Sequence, residues 1–99
     1  MRLSRFEIDT INALAQKHFG NGTSVFLFGS RVDDNKKGGD IDLLIKNNED
    51  ALTIRKKISF LAELKSMIGD QKIDVVFDNA GTRLKTRFWH SISHRNIEL

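Results

Sequence analysis

Near the start of the chain, apolar positions recur at a spacing typical of a helix. The residues on this predicted face are Phe6, Ile8, Ile11, Leu14, Ala15 and His18. Just before them, residues 4–7 have the Ser-x-x-Glu form of a capping box, in which two side chains satisfy free N–H groups at a helix start. The pattern predicts a first helix over residues 4–19, which the Gly20-Asn21-Gly22 turn would end.

Three short apolar runs predict β-strands. The first covers residues 25–28 between Gly22 and Gly29, the second residues 40–46, and the third residues 72–77. A polar loop over residues 31–39 contains turn-forming residues and separates the first two strands.

The interval between the second and third strands is amphipathic and predicts a helix that Gly69 would end. Its apolar positions are Ala51, Ile54, Ile58, Leu61, Leu64 and Ile68. Farther along, Leu84, Phe88 and Ile92 predict one face of a final helix, and Ile97 and Leu99 predict a short extended tail. The order α-β-β-α-β-α predicts an α/β (α+β) fold, in which a small mixed sheet carries helices packed on one face.

The composition indicates one globular domain over residues 1–99, with 39% hydrophobic and 29% charged residues and no linker or repeat. No apolar run approaches membrane-spanning length and the first residues do not resemble a signal peptide, so we expect a cytoplasmic protein. The absence of cysteine excludes disulfides and thiolate metal sites. The net charge of +3 mildly favours anionic partners, such as nucleotides, nucleic acid or an acidic protein surface.

Three aspartates are candidate metal ligands. Asp40 and Asp42 lie two residues apart on the second predicted strand and therefore share a face. Side by side they repel each other and resist desolvation, and a bound Mg²⁺ would offset both costs. Taken alone, the pair is better explained by a solvated strand end. Asp74 interrupts the apolar third strand, and it becomes a third ligand if that strand neighbours the second; otherwise it is a salt-bridge partner for a residue such as Lys72.

Gly29 and Ser30 follow the first predicted strand directly. A glycine lets the backbone approach a phosphate closely, while successive N–H groups and the Ser30 hydroxyl can donate to phosphate oxygens. Arg31 can add charge-assisted bonds. Such a pair alone usually marks only a turn, but the acidic pair on the next strand makes it a candidate nucleotide site. Lys36 and Lys37, in the adjacent loop, are further candidate contacts.

These motifs together resemble the signature of the DNA polymerase β-like nucleotidyltransferase superfamily. Phe28-Gly29-Ser30-Arg31 precedes Asp40-Ile41-Asp42-Leu43, and nine residues, 31–39, separate Ser30 from Asp40, where many members have ten. More closely, the chain resembles the minimal nucleotidyltransferases, whose genes often pair with genes for HEPN-domain proteins. The resemblance covers nearly the whole chain.

The resemblance implies a polymerase β palm-like fold and a mechanism. Asp40 and Asp42 would bind two Mg²⁺ ions, and the Ser30 turn would hold the β- and γ-phosphates of ATP or another nucleoside triphosphate. Asp74 would be a ligand and a base for an acceptor hydroxyl. Attack at the α-phosphorus would transfer a nucleoside monophosphate and release pyrophosphate. In antitoxin members of the group, the implied acceptor is a tyrosine of the partner HEPN toxin, which the modification silences.

Two other functions stay open beside this one. The chain is alternatively a binding module that neutralises a HEPN partner by contact alone, or a transferase acting on RNA ends or a small molecule. A basic C-terminal region near Trp89 would suit RNA, phosphate or an acidic protein, although a solvated helix face explains it more simply. Its cations are Arg83, Lys85, Arg87 and Arg95. His90 and His94 do not meet the His-Glu-x-x-His pattern and are predicted to be surface residues.

Overall fold

The first helix, α1 (Arg5–Phe19), begins where the sequence predicts, in a computed structural model that describes residues 1–35 and 39–99. Its capping box is complete, because the Ser4 amide donates to the Glu7 carboxylate at 2.9 Å and the Glu7 amide donates to Ser4 Oγ at 3.1 Å. The helix ends at Gly20, whose N–H donates to the Gln16 carbonyl and whose φ of 105° favours glycine.

Four strands form one mixed sheet: β1 (Ser24–Phe28), β2 (Ile41–Lys46), β3 (Ile73–Phe77) and β4 (Asn96–Glu98). Their order across the sheet is β3-β2-β1-β4, with β1 antiparallel to both neighbours and β2 parallel to β3. The predicted extended tail is therefore confirmed as the edge strand β4. The opposite edge is β3, which among residues 1–35 and 39–99 has β2 as its one neighbour in the sheet.

A second helix, α2 (Ile54–Ile68), connects the parallel strands β2 and β3 and packs with α1 on one face of the sheet. Thr53 caps its first turn, and Gly69 ends it, as predicted for the glycine. Alternate residues of each strand point into the core beneath these helices. The core comprises Ile11, Leu14, Ala15, Phe19, Val25, Leu27, Ile41, Leu43, Ile45, Leu52, Phe60, Leu64, Ile73, Val75 and Phe77.

The predicted apolar face of α2 is wrong in part. Ile54 and Ile58 are 65% and 63% exposed, whereas Phe60 is fully buried. The Phe60 ring packs on the Phe19 ring of α1, with centroids 5.2 Å apart. The large aromatic side chain fills the space between the helices and the sheet, so the helix is rotated to bury Phe60 and Leu64 rather than the row that contains Ile54 and Ile58.

The predicted final helix is two helices, α3 (Ala80–Leu84) and α4 (Thr86–His94), separated at Lys85. Because of this break, Leu84 does not share a buried face with Ile92: Leu84 is 81% exposed and Ile92 is fully buried. Phe28, which alternates with core-facing Leu27, brings its ring 6.3 Å from that of Phe88. Helix α4 therefore lies against the face of the sheet opposite α1 and α2. Within the described residues, no helix is long and apolar enough to cross a membrane.

Candidate active site

The three predicted aspartates converge at one place on the sheet. The register of β2 and β3 pairs Asp42 directly with Asp74, and Asp40 immediately precedes β2. One carboxylate oxygen from each residue lies within 4.8 Å of the other two. Asp74 was expected to join the other two aspartates if its strand neighboured the second strand, and β3 is indeed the neighbour of β2.

Strand alternation directs these carboxylates away from the core. Ile41 and Leu43, on either side of Asp42, are fully buried beneath the helices, so Asp42 faces the opposite side of the sheet. Ile73 and Val75 bracket Asp74 in the same way. Asp40 and Asp42 are half-buried and Asp74 is exposed, so the cluster opens to solvent on the β3 side.

The cluster carries unbalanced negative charge. Burial, followed by the neighbouring carboxylates of Asp74 and Asp40, raises the pKa of Asp42 to about 6. Lys72 opposes this only in part, with its Nζ 3.4 Å from an Asp40 oxygen. The alternative role predicted for Asp74, a salt bridge to Lys72, is thus taken by Asp40. Three convergent oxygen donors with excess negative charge fit a divalent cation such as Mg²⁺.

The glycine-serine turn lies directly beside these carboxylates. Phe28 pairs with Asp42 across β1 and β2, so Gly29 is the first residue beyond that pair. Gly29 has a φ of 76°, and a Cβ there would overlap the Asp42 carboxylate. Gly39, with a φ of 91°, lies so close to Ser30 Oγ that a Cβ would overlap the hydroxyl. Both positions require glycine for the conformation and for the space.

The Arg31 side chain forms hydrogen bonds within the protein. Its guanidinium donates to the carbonyls of Gly39 and Arg2 at 3.3 and 2.9 Å, and to Gln71 Oε1 at 3.2 Å. It therefore ties the turn to the residues before α1 and after α2. Its predicted bond to a phosphate stays a prediction, as do the phosphate contacts of Gly29 and Ser30.

Arg2 is a further residue at this site, and it was not predicted from the sequence. The Arg2 guanidinium donates to the Ser30 and Asp33 carbonyls, both at 3.0 Å, and the Arg2 amide donates to the Arg31 carbonyl at 2.8 Å. These bonds hold the backbone of the short 3₁₀ turn Gly29–Val32 from outside. Nothing in the sequence around Arg2 signals this, because its partners are backbone carbonyls that any residue supplies.

A cavity of about 380 Å³ adjoins the carboxylates on the side of β3. Asp42 and Asp74 form one end of it, and the aromatic rings of Phe28 and Phe88 form part of its wall. Lys57 of α2 reaches it from across the strand edge. The carboxylates thus have the glycine-serine turn on one side and this cavity on the other.

Other predicted candidates lie apart from the carboxylates. Arg83 donates two hydrogen bonds to the Asp78 carboxylate and lies over the Trp89 ring, and Arg95 is 3.8 Å from Asp33. These pairs neutralise part of the basic C-terminal region. His90 and His94 are exposed, as predicted, and bond to each other at 2.9 Å. Lys36 and Lys37 lie outside the described residues.

Comparison with known proteins gives one family. The model of the family described as "Polymerase beta, Nucleotidyltransferase" matches residues 9–98, a range that contains Gly29, Ser30 and all three aspartates. Among curated proteins, nothing matches the chain.

Proposed function

Because the chain belongs to the polymerase β nucleotidyltransferase family, we propose that it transfers AMP from ATP to a hydroxyl of a partner protein. The observation that carries this proposal is the convergence of Asp40, Asp42 and Asp74 beside the Gly29-Ser30 turn. The resemblance to minimal nucleotidyltransferases makes a HEPN-domain protein the expected partner and an antitoxin role the expected consequence.

Each residue has a distinct task in the proposed reaction. The Gly29-Ser30 turn binds the β- and γ-phosphates through its N–H groups and the Ser30 hydroxyl. Asp74, at the solvent-open side of the cluster, accepts the proton of the acceptor hydroxyl. The acceptor oxygen then forms a bond to the α-phosphorus, the bond from that phosphorus to the β-phosphate oxygen breaks, and pyrophosphate leaves.

The three aspartates would hold Mg²⁺, two ions by the resemblance to the family. When bound, Mg²⁺ supplies positive charge to the phosphates and to the attacking and leaving oxygens. The elevated pKa of Asp42 supports this assignment, because a cation relieves the carboxylate repulsion that contributes to the shift.

A protein acceptor is favoured over RNA by the state of the basic C-terminal region. Phosphate binding needs cations with free donors. Arg83 and Arg95 already face Asp78 and Asp33, so this region presents less free positive charge than its sequence indicates.

The test is the intact mass of a HEPN-domain partner after co-expression with this chain. We expect a gain of one or more AMP groups with the wild type and none with Asp40→Asn. Asp70→Asn is the matched control, because Asp70 is exposed and outside the cluster. A stable complex with both Asp40 versions and no mass gain in either would support neutralisation by contact instead.

A further inference from the structure

We propose that the free edge of β3 binds an extended, acidic segment of the acceptor protein, which pairs with β3 as an added strand and presents its hydroxyl to Asp74. This inference rests on the proposed function, since it supplies the acceptor for that reaction. It concerns the edge of β3, which begins at the carboxylate cluster and extends away from it.

The edge of β3 carries a row of free backbone groups. Ile41 donates to the Lys72 carbonyl at 3.0 Å, and Asp78 donates to the Ile45 carbonyl at 2.9 Å, at the two ends of the β2–β3 ladder. In a parallel ladder every second residue bonds to a given neighbour, so residues 72, 74, 76 and 78 bond to β2. The N–H and C=O groups of Ile73, Val75 and Phe77 therefore point outward, and within the described residues they bond to nothing else.

A groove follows this edge along its whole length. Its first part is the cavity beside the carboxylates, lined by Ile73, Asp74 and Val75. Its second part has a volume of about 310 Å³ and is lined by Val75, Val76 and Phe77. Lys57 and Phe88 line both parts and so form opposite walls, from α2 and from α4. The groove is therefore open to an added strand, which would lie about 4.8 Å from β3.

Beyond its Asp42 and Asp74 end the groove is basic, and this favours an acidic occupant there. Lys57 borders both parts, with its Nζ 5.8 Å from the centre of the Phe77 ring, and Lys85 borders the second part. Carboxylates of the occupant would pair with Lys57 and Lys85, away from the Asp42 and Asp74 end where the hydroxyl reacts.

The free edge suits a polypeptide better than a nucleic acid. It offers donors and acceptors alternately at strand spacing, which is the pattern that another peptide backbone complements. A phosphodiester backbone offers chiefly acceptors and would be repelled by the outward carbonyls.

The geometry also connects the groove with the chemistry. Side chains of an added strand alternate between the two faces of the sheet, as those of β3 do. A residue paired beside Asp74 and facing the same way would extend its hydroxyl toward the carboxylate cluster, where Asp42 and Asp74 line the groove. Docking and deprotonation would then occur at one strand position.

The test uses amide hydrogen exchange of the full chain, followed by NMR. The probe is an acetylated nonapeptide that alternates glutamate and valine around a central tyrosine. Expected is at least about tenfold slower exchange at the outward amides of Ile73, Val75 and Phe77, with the already bonded Asp74 and Val76 amides unchanged. N-methylation of the alternate peptide residues whose N–H groups face β3 should abolish binding. N-methylation of the other set, whose N–H groups face away from β3, should not.

Charge variants provide the control. Lys57→Glu should weaken peptide binding by about fivefold, whereas Lys56→Glu, on the same helix but outside the groove, should not. No binding at millimolar peptide, protection elsewhere, or protection of this edge by oligouridylate but not by the peptide would overturn the proposal. Asp40→Asn should bind the peptide as tightly as the wild type does. If the wild type binds the peptide but transfers no AMP to it, that result would count against the proposed function alone.

Discussion

Arg2 and Arg31 hold each other through their backbones: the Arg2 amide donates to the Arg31 carbonyl at 2.8 Å, and the Arg31 guanidinium donates to the Arg2 carbonyl at 2.9 Å. Arg2 also binds the turn that contains Ser30, at the Ser30 carbonyl, and Arg31, which belongs to that turn, binds the Gly39 carbonyl. The conformation of the candidate phosphate-binding turn thus depends on a residue before α1, remote from the motif in sequence.

Arg2→Ala should therefore impair nucleotide binding without touching the carboxylates. Loss of the bonds to the Ser30 and Asp33 carbonyls should lower the free energy of unfolding by about 1–3 kcal/mol. We expect the KM for ATP to rise more than kcat falls, and a steady-state titration checks this. Arg5→Ala is the control, since exposed Arg5 pairs with Asp9 of its own helix. An unchanged KM in Arg2→Ala would contradict the assigned role.

Asp42 makes the stability of the metal-free protein dependent on pH. Its pKa rises on folding from 3.8 to about 6, so the folded state binds the proton more tightly. The resulting stabilisation is complete below pH 4 and is lost as the pH rises through 6. Because Asp42 is only partly buried, solvent screening reduces the effect to about 1 kcal/mol.

Asp42→Asn removes this dependence. The free energy of unfolding of the variant minus that of the wild type should therefore be about 1 kcal/mol larger at pH 8 than at pH 4. Denaturant unfolding of both proteins at the two pH values measures it. Asp70→Asn should show no such difference between the two pH values. An Asp42→Asn protein that is less stable than the wild type at pH 8 would contradict the destabilising effect assigned to the Asp42 charge.

Mg²⁺ should reverse this ranking. A ligand that binds only the folded state raises its stability, by about 2.7 kcal/mol at a hundredfold excess over Kd. We expect Mg²⁺ to raise the Tm of the wild type at pH 8 and to have little effect on Asp42→Asn, since one of the three ligand side chains is replaced. Equal shifts in both proteins would indicate binding elsewhere.

Alanine substitutions at Gly29 and Gly22 distinguish the effect of backbone strain from the effect of crowding at the site. Both have positive φ, 76° and 83°, but a Cβ at Gly29 would meet the Asp42 carboxylate, whereas no atom of the described residues lies within 4 Å of one at Gly22. Gly22→Ala should cost about 1 kcal/mol of stability and leave transfer intact, while Gly29→Ala should also abolish most activity. Thermal unfolding and a transfer assay on both variants distinguish the two effects.

The apolar pattern of the sequence predicts helix α2 but not which face of it is buried. The existence of this helix and its end at Gly69 were predicted, because the apolar periodicity and the glycine mark them locally, but its rotation depends on which side chain fills the space above the sheet. Apolar residues lie on more than one side of this helix, so periodicity alone did not identify Phe60 as the buried anchor. The break at Lys85 has no proline or glycine to announce it and was missed for a related reason.

The corrected orientation of α2 is testable by truncation. Phe60→Ala should destabilise the fold by about 3–5 kcal/mol, because it empties a fully buried site against Phe19. Ile58→Ala, two residues earlier and 63% exposed, should cost less than about 1 kcal/mol. Comparable losses for both variants in denaturant unfolding would restore the orientation that the sequence pattern indicates.

The candidate site was predictable to the extent that it depends on side-chain type at fixed spacing. Asp40 and Asp42 share a face by alternation alone, and Asp74 joins them because its strand is the parallel neighbour. Arg2 was not predictable, since no sequence pattern reports an arginine that binds backbone carbonyls.

The pairing of Asp42 with Asp74 also protects the chain against misfolding. If β3 slipped by one residue against β2, Asp74 would turn into the apolar layer beneath the helices, and Ile73, Val75 and Phe77 would turn toward water. An ionised carboxylate in that layer has no partner, so the mispaired sheet is excluded by its desolvation cost. The side chain to which we assign a role in the proposed reaction thereby also discriminates against a competing fold, and replacing it by valine would remove this discrimination together with that role.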